Sequence, residues 1–195
     1  MDGTRTESAP LNIVVIKKTD DTGILERFKQ GDSSAFRDIV LTYQDRIYNL
    51  CLYMLQHVED AQEAAQDAFV KAYRALPGFE PRASLYTWLY SIATRTCLDY
   101  RRKAIRTLAG EPLPEEMPST DLSPEKRYET REVSEAVQRA LQKLPAKLRA
   151  VIVLRELEEL TYEEIGEVLD VSTGTVKSRI SRAREELRKL LSGRL

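Results

Sequence analysis

The sequence is poor in the residues that usually carry chemistry. Its 195 residues include one histidine, His57, and two cysteines, Cys51 and Cys97. Both cysteines sit inside apolar helical patterns and form neither a CxxC pair nor a metal-ligand spacing with His57. They read as reduced thiols, and no metal or other cofactor is expected. A lone His57 cannot complete a Ser/His/Asp or Cys/His set, and there is no Gly-rich phosphate loop, so an enzyme is set aside. The apolar run LNIVVI, at 11–16, is too short to cross a bilayer. It lacks the basic start and small-residue cleavage site of a signal peptide, so the chain is expected in the cytoplasm with no membrane insertion of its own. Internal repeats and strand-like alternation are missing as well.

What is present is helical periodicity and unevenly placed charge. Hydrophobic residues make up 42% and charged residues 31%, which suits a soluble protein with compact helical cores. The net charge of −1 hides two basic segments. From Arg82 to Arg106, six cations (Arg82, Arg95, Arg101, Arg102, Lys103, Arg106) face Asp99 alone. From Ser172 to Leu195, seven (Lys177, Arg179, Arg182, Arg184, Arg188, Lys189, Arg194) face Glu185 and Glu186. Between them Glu111 to Glu132 is acidic. Two basic segments around an acidic one fit two contacts with a polyanion, although basic helix ends are also ordinary solvated faces.

Residues 1–23 show no helical period and read as a mobile extension. A short helix follows, ILERFKQGD, ending at Gly31. The next is long, with Phe36, Ile39, Val40, Tyr43, Ile47, Leu50 and Met54 at three- and four-residue steps. A third, EDAQEAAQDAFVKAYRAL, is stopped by Pro77-Gly78. A fourth, SLYTWLYSIATRTCLDYRRKAIR, carries Leu85, Leu89, Ile92 and Thr96 as its inward stripe. Gly110 to Lys126 then holds four of the chain's eight prolines, with Ser, Thr and acids; such a segment cannot bury a core and reads as an extended linker. Periodicity resumes near Arg131. The expected fold is all-α: two small helical domains, at 24–106 and 131–195, joined by a flexible acidic, Pro-rich linker at 107–130.

The C-terminal helices form a specific pattern. Thr161-Tyr162-Glu163-Glu164 fits a capping box that fixes where one helix starts. Ile165, Val168 and Leu169 face inward, Gly166 permits close approach, and Ser172 or Thr173 caps the next helix. Along that helix Val176, Ile180, Ala183 and Leu187 share one stripe. The opposite face carries Lys177, Ser178, Ser181 and Arg182, small hydroxyls flanked by long cations, which suits a major groove. Thr175, near the helix start, can hold a phosphate with backbone amides. A plain amphipathic hairpin in a bundle gives a related pattern, but the caps and basic front face favour a DNA reader.

The N-terminal half narrows the reading. DAQEAAQDAF, at 60–69, resembles the DAEDLVQETF signature of the extracytoplasmic-function sigma factors of the bacterial sigma-70 family, keeping Asp60, Ala61, Gln66 and Phe69. SLYTWLYSIATRTCLDYRRK, at 84–103, is similar to that family's −10 helix, with its Trp-Leu pair, IA and DYRR ending. LTYEEIGEVLDVSTGTVKSRISRARE, at 160–185, is similar to its −35-reading motif. Together the resemblance runs from about Ile24 to Leu191.

The resemblance implies partners and roles. Core RNA polymerase would be gripped by Asp60, Glu63, Gln66, Asp67 and Phe69, although from the residues alone plain solvation is the better reading of that acidic face. The −10 element would be met by Phe79, Arg82 and Ser84 in the loop before the fourth helix, and by Tyr90, Arg95, Arg101 and Arg102 on it. Aromatics and cations together suit bases leaving a duplex. Tyr90 and Arg101 are expected to point outward, and Trp88 reads as core rather than platform. Thr175, Lys177, Ser178, Ser181 and Arg182 would read the −35 element. Promoter elements about one and a half turns apart lie ~50 Å from each other. The residues from Thr107 to Thr130 span at most ~80 Å, so the tether reaches. The family also implies an anti-sigma partner and a stress response. The alternative is a stand-alone helix-turn-helix regulator, for which the sequence offers neither a dimerising heptad nor a sensor domain.

Overall fold

The computed structural model describes residues 21–80, 84–107 and 136–192. The extension at 1–23, save its last three residues, the linker at 107–130, save Thr107, and Arg82 lie outside them. Every regular element among the described residues is helical: α1 Thr22–Lys29, α2 Ala35–Leu55, α3 Val58–Ala75, α4 Leu85–Thr107, α5 over 136–143, α6 Ala146–Ile152, α7 Tyr162–Leu169 and α8 Thr173–Ser192.

In the N-terminal half, α2, α3 and α4 pack on one another and α1 lies against α2. The α2 stripe buries Ile39, Tyr43, Ile47, Leu50 and Met54, with Phe36 and Val40 half-buried. The buried face of α3 is alanine throughout (Ala61, Ala64, Ala65, Ala68, Ala72), so its neighbours can approach its backbone closely. Tyr43 donates its hydroxyl to Asp21, 2.6 Å away, pinning the start of α1 onto α2. α2 stops where Gln56 turns left-handed (φ 61°) and its N–H bonds the Leu52 carbonyl. α3 ends in a short 3₁₀ turn, Leu76–Gly78, at the expected Pro-Gly stop. Cys51 and Cys97, from α2 and α4, are fully buried. A hydrogen bond with Cys51, then burial, pushes the Cys97 thiol well above its usual range.

In the C-terminal half α6 packs on α8, and α6 widens into a π-helical stretch, Val153–Leu157. The Thr161–Glu164 capping box is complete in both directions. Ser172, rather than Thr173, caps α8, its hydroxyl accepting from the Thr175 amide at 3.3 Å. Gly166 is close to the turn backbone: a Cβ there would stand 2.8 Å from the Val171 carbonyl oxygen. Gly166→Ala is therefore expected to cost about 1–3 kcal/mol, because backbone rather than a flexible side chain must yield. Urea denaturation of the full chain measures it; a loss within error would mean that the turn relaxes freely.

The halves are not separate bodies. α4 packs along α7, and the C-terminal end of α2 meets α6 and the π-helical stretch.

Candidate nucleic-acid and polymerase interface

α8 is the clearest functional surface. Its inner stripe, Val176, Ile180 and Ala183, is buried, and Leu187 is half-buried. Lys177, Ser178, Ser181 and Arg182 are exposed on the other side. Among the described residues neither Lys177 nor Arg182 is held in an ion pair, so both are free to reach a partner. Arg184, farther along, is engaged by Glu156 at 2.7 Å. Ser178 turns its hydroxyl back to the Thr175 carbonyl, and the half-buried Thr175 shares a hydrogen bond with Ser172. Those hydroxyls order the helix start.

On α3, Glu63, Gln66 and Asp67 are exposed, Asp60 is partly so, and Phe69 is half-buried against the core. Tyr100 donates to Asp67 at 3.1 Å, bracing this face from α4. The acidic stripe continues into exposed Val70 and Tyr73, an apolar extension that the charge pattern did not reveal.

The residues expected at the −10 element divide. Arg95 and Arg102 are exposed, Arg102 pairing with Asp99 at 3.0 Å. Ser84 caps α4 by accepting from the Thr87 amide at 3.1 Å. Phe79 is buried, its ring centroid 5.0 Å from that of the half-buried Trp88. Two placements differ from expectation. Tyr90 is not outward: it is completely buried, because the side of α4 that turns away from its own bundle is covered by the C-terminal half. Arg101 is half-buried, with its guanidinium near the Met54 carbonyl.

Two charged residues that sequence reasoning missed sit in this covering. Arg149 is 1% exposed and bonds only carbonyls: Met54 at the end of α2 (2.8 Å), Gln142, and Leu144 at 3.4 Å. Burial, then the nearby Arg101, pushes its guanidinium down to about 9, and the negative end of the α2 dipole offsets part of that cost. Glu158 is buried beneath α4; Tyr90 donates to its carboxylate and Tyr86 to its backbone carbonyl at 3.0 Å. A hint existed: Arg149 interrupts the apolar stripe of Leu141, Leu144, Leu148 and Ile152 at an inward position. Among the described residues there is no cluster able to hold a metal ion and no helix long and apolar enough to cross a membrane.

Residues 39–107 match the family model for sigma-70 region 2, and residues 134–187 that for sigma-70 region 4. The chain is also 40% identical over 176 residues to the ECF RNA polymerase sigma factor SigW of Bacillus subtilis (strain 168), covering 86% of this chain and 94% of that one. It belongs to the ECF sigma factors. As a sigma factor it is a transcription-initiation protein and not an enzyme. Its fold resembles CnrH, solved in complex with the cytosolic domain of CnrY, with a TM-score of 0.67 and 26% identity, covering 90% of this chain and 99% of that one. It likewise resembles the sigma factor RpoE from Bartonella quintana, solved with the anti-sigma factor NepR, with a TM-score of 0.68 and 24% identity over 83% of this chain and 99% of that one.

Proposed function

We propose that this ECF sigma factor binds core RNA polymerase through the α3 face (Asp60, Glu63, Gln66, Asp67, Phe69) and places two promoter-reading units on DNA. The observation that carries the reading is α8: a capped two-helix unit presents Lys177, Ser181 and Arg182 outward, while α3, in the other half of the chain, exposes an acidic face. In this proposal Lys177 and Arg182 reach base edges at the −35 element, the small Ser178 and Ser181 let the helix seat deeply in the groove, and Thr175 holds a phosphate. Phe79, Arg82, Ser84, Tyr90, Arg95, Arg101 and Arg102 serve the −10 element. Tyr90 and Arg101 take part only after the halves separate. The units correspond to 24–106 and 131–195, with 107–130 as the tether. The protein acts in the cytoplasm, in a stress response, and a protein of the anti-sigma kind restrains it.

Co-purification with core polymerase followed by run-off transcription tests the assignment. A sigma factor brings down core and directs specific initiation; a stand-alone regulator does neither. Lys177→Ala and Arg182→Ala should each weaken a −35-dependent promoter by about 1–3 kcal/mol without unfolding the protein, since both side chains face water. Unchanged transcription from such a promoter would remove these two from the reading surface. Reversing charge at Asp60 and Glu63 should in turn lower polymerase affinity while leaving the melting temperature in place. Wild-type affinity at moderate salt would reduce that face to plain solvation.

A further inference from the structure

The covering between the halves buries a carboxyl group with no opposite charge bonded to it. Glu158, at the end of the π-helical stretch, is 9% exposed and forms no ion pair among the described residues. The groups that face it from the neighbouring helices are two tyrosines, one arginine and one glutamate. From α4, Tyr90 donates to the carboxylate and Tyr86 to the backbone carbonyl. From α2, Arg46 lies over the Tyr86 ring, 5.4 Å from its centroid, and acts on Glu158 only through space. From α7, the charge of Glu164 is felt at Tyr86, and its carboxylate is already engaged in the Thr161 capping box. Both tyrosines stay protonated: burial, then Glu158, pushes Tyr86 up to about 12 and Tyr90 higher still.

We propose that Glu158 is a proton-operated latch, closing the C-terminal half over Tyr86 and Tyr90 when it is a neutral acid and releasing them when it is a carboxylate. The physical reason is the cost of an unpaired buried charge. The Tyr90 hydroxyl and the distant Arg46 relieve that cost only in part, so burial still holds the Glu158 carboxyl above its usual 4.5 in the closed chain. In the open chain the group meets water and returns toward that ordinary value. The closed form therefore binds the proton more tightly. Closure is fully favoured below the ordinary carboxylate range. It weakens as pH rises through the window up to the raised value, and changes no further above it. Each pK unit of separation between the two states lowers the closed-to-open ratio about tenfold across the window. The latch is a property of the free chain and does not depend on which promoter is read.

Small-angle scattering of the full chain, from about pH 5 to about pH 8, reads the state directly. The wild type should expand with rising pH. Glu158→Gln, permanently neutral and of the same shape, should stay compact throughout and be more compact than wild type at neutral pH. Glu158→Met, a second neutral side chain of similar length, should flatten the pH response in the same way and serves if the glutamine variant folds poorly. Wild-type dimensions that do not change across the window overturn the latch. So does a neutral variant that expands along the wild-type curve, or one more open than wild type at neutral pH.

Discussion

Promoter DNA is expected to bind the free chain weakly and almost without sequence preference, while the complex with core polymerase selects the same promoter by a factor of at least ~10³. Three features carry this expectation. The first is occlusion: Tyr90 is completely buried and Tyr86 nearly so under the C-terminal half, so the aromatic part of α4 cannot meet a base. The second is distance. Two domains of under 100 residues each have radii of gyration near ~13 Å, so in contact their centres lie only about 30 Å apart. The −10 and −35 elements lie ~50 Å apart, and a closed chain cannot span them. The third is charge. Arg184 and Arg102 are engaged by Glu156 and Asp99, which leaves few free cations per half, so the binding that remains should be weak, with a salt slope as small as those few phosphate contacts allow. Polymerase, if it holds the two halves apart, would remove the first two obstacles together. Anisotropy titrations with and without core enzyme at two salt concentrations decide the matter. Tight, sequence-specific binding by the free chain would contradict the closed state as the resting form in solution.

Arg149→Ala should destabilise the protein by about 3 kcal/mol. The side chain is among the largest fully buried ones, and its guanidinium satisfies the carbonyls of Met54, Gln142 and Leu144. Truncation leaves a void and strands those carbonyls away from water, at ~1–3 kcal/mol for an unsatisfied buried group before the void is counted. Opposing this, the mutation removes an unpaired buried cation whose Nε has no hydrogen-bond partner. The balance is separable. Arg149→Met refills the space without the charge, so it should cost about half as much as alanine. Urea unfolding of both variants at neutral pH gives the comparison. An alanine variant within ~1 kcal/mol of wild type would mean that the desolvation of the guanidinium cancels its hydrogen bonds.

The helices were legible because their determinants are local. The Thr161 capping box, the Pro77-Gly78 stop and the α2 stripe each depend on residues within a few positions, and the structure places them as read. Tyr90 was misplaced for an instructive reason. Periodicity reports that one side of α4 turns away from α2 and α3, but it carries no information on what lies beyond, and here another part of the chain does. Trp88 and Phe79 show the same limit in reverse: the reading of Trp88 as core holds in part, yet its pairing with Phe79 depends on how the preceding loop folds back. Arg149 and Glu158 were illegible as a pair of interface groups, since each bonds partners that are distant in sequence (Met54, Tyr86, Tyr90). The outer face of α8 is exposed as its periodicity predicts, because among the described residues Lys177, Ser181 and Arg182 have no tertiary partner for a local pattern to miss.

The two buried thiols give the N-terminal half its own clock. Cys51 and Cys97 face each other across α2 and α4, with Lys71 of α3 close by, and neither sulfur is accessible in the closed protein. Only a thiolate attacks an alkylating reagent, and the raised Cys97 thiol supplies very little of it while the packing is intact. Iodoacetamide should therefore label the chain only during those moments when α2 and α4 part. The labelling rate then counts local unfolding of that bundle. Separation of the two halves leaves α2, α3 and α4 together, so it should not quicken the reaction. A single reagent thus distinguishes a sigma factor that has opened from one that has begun to come apart.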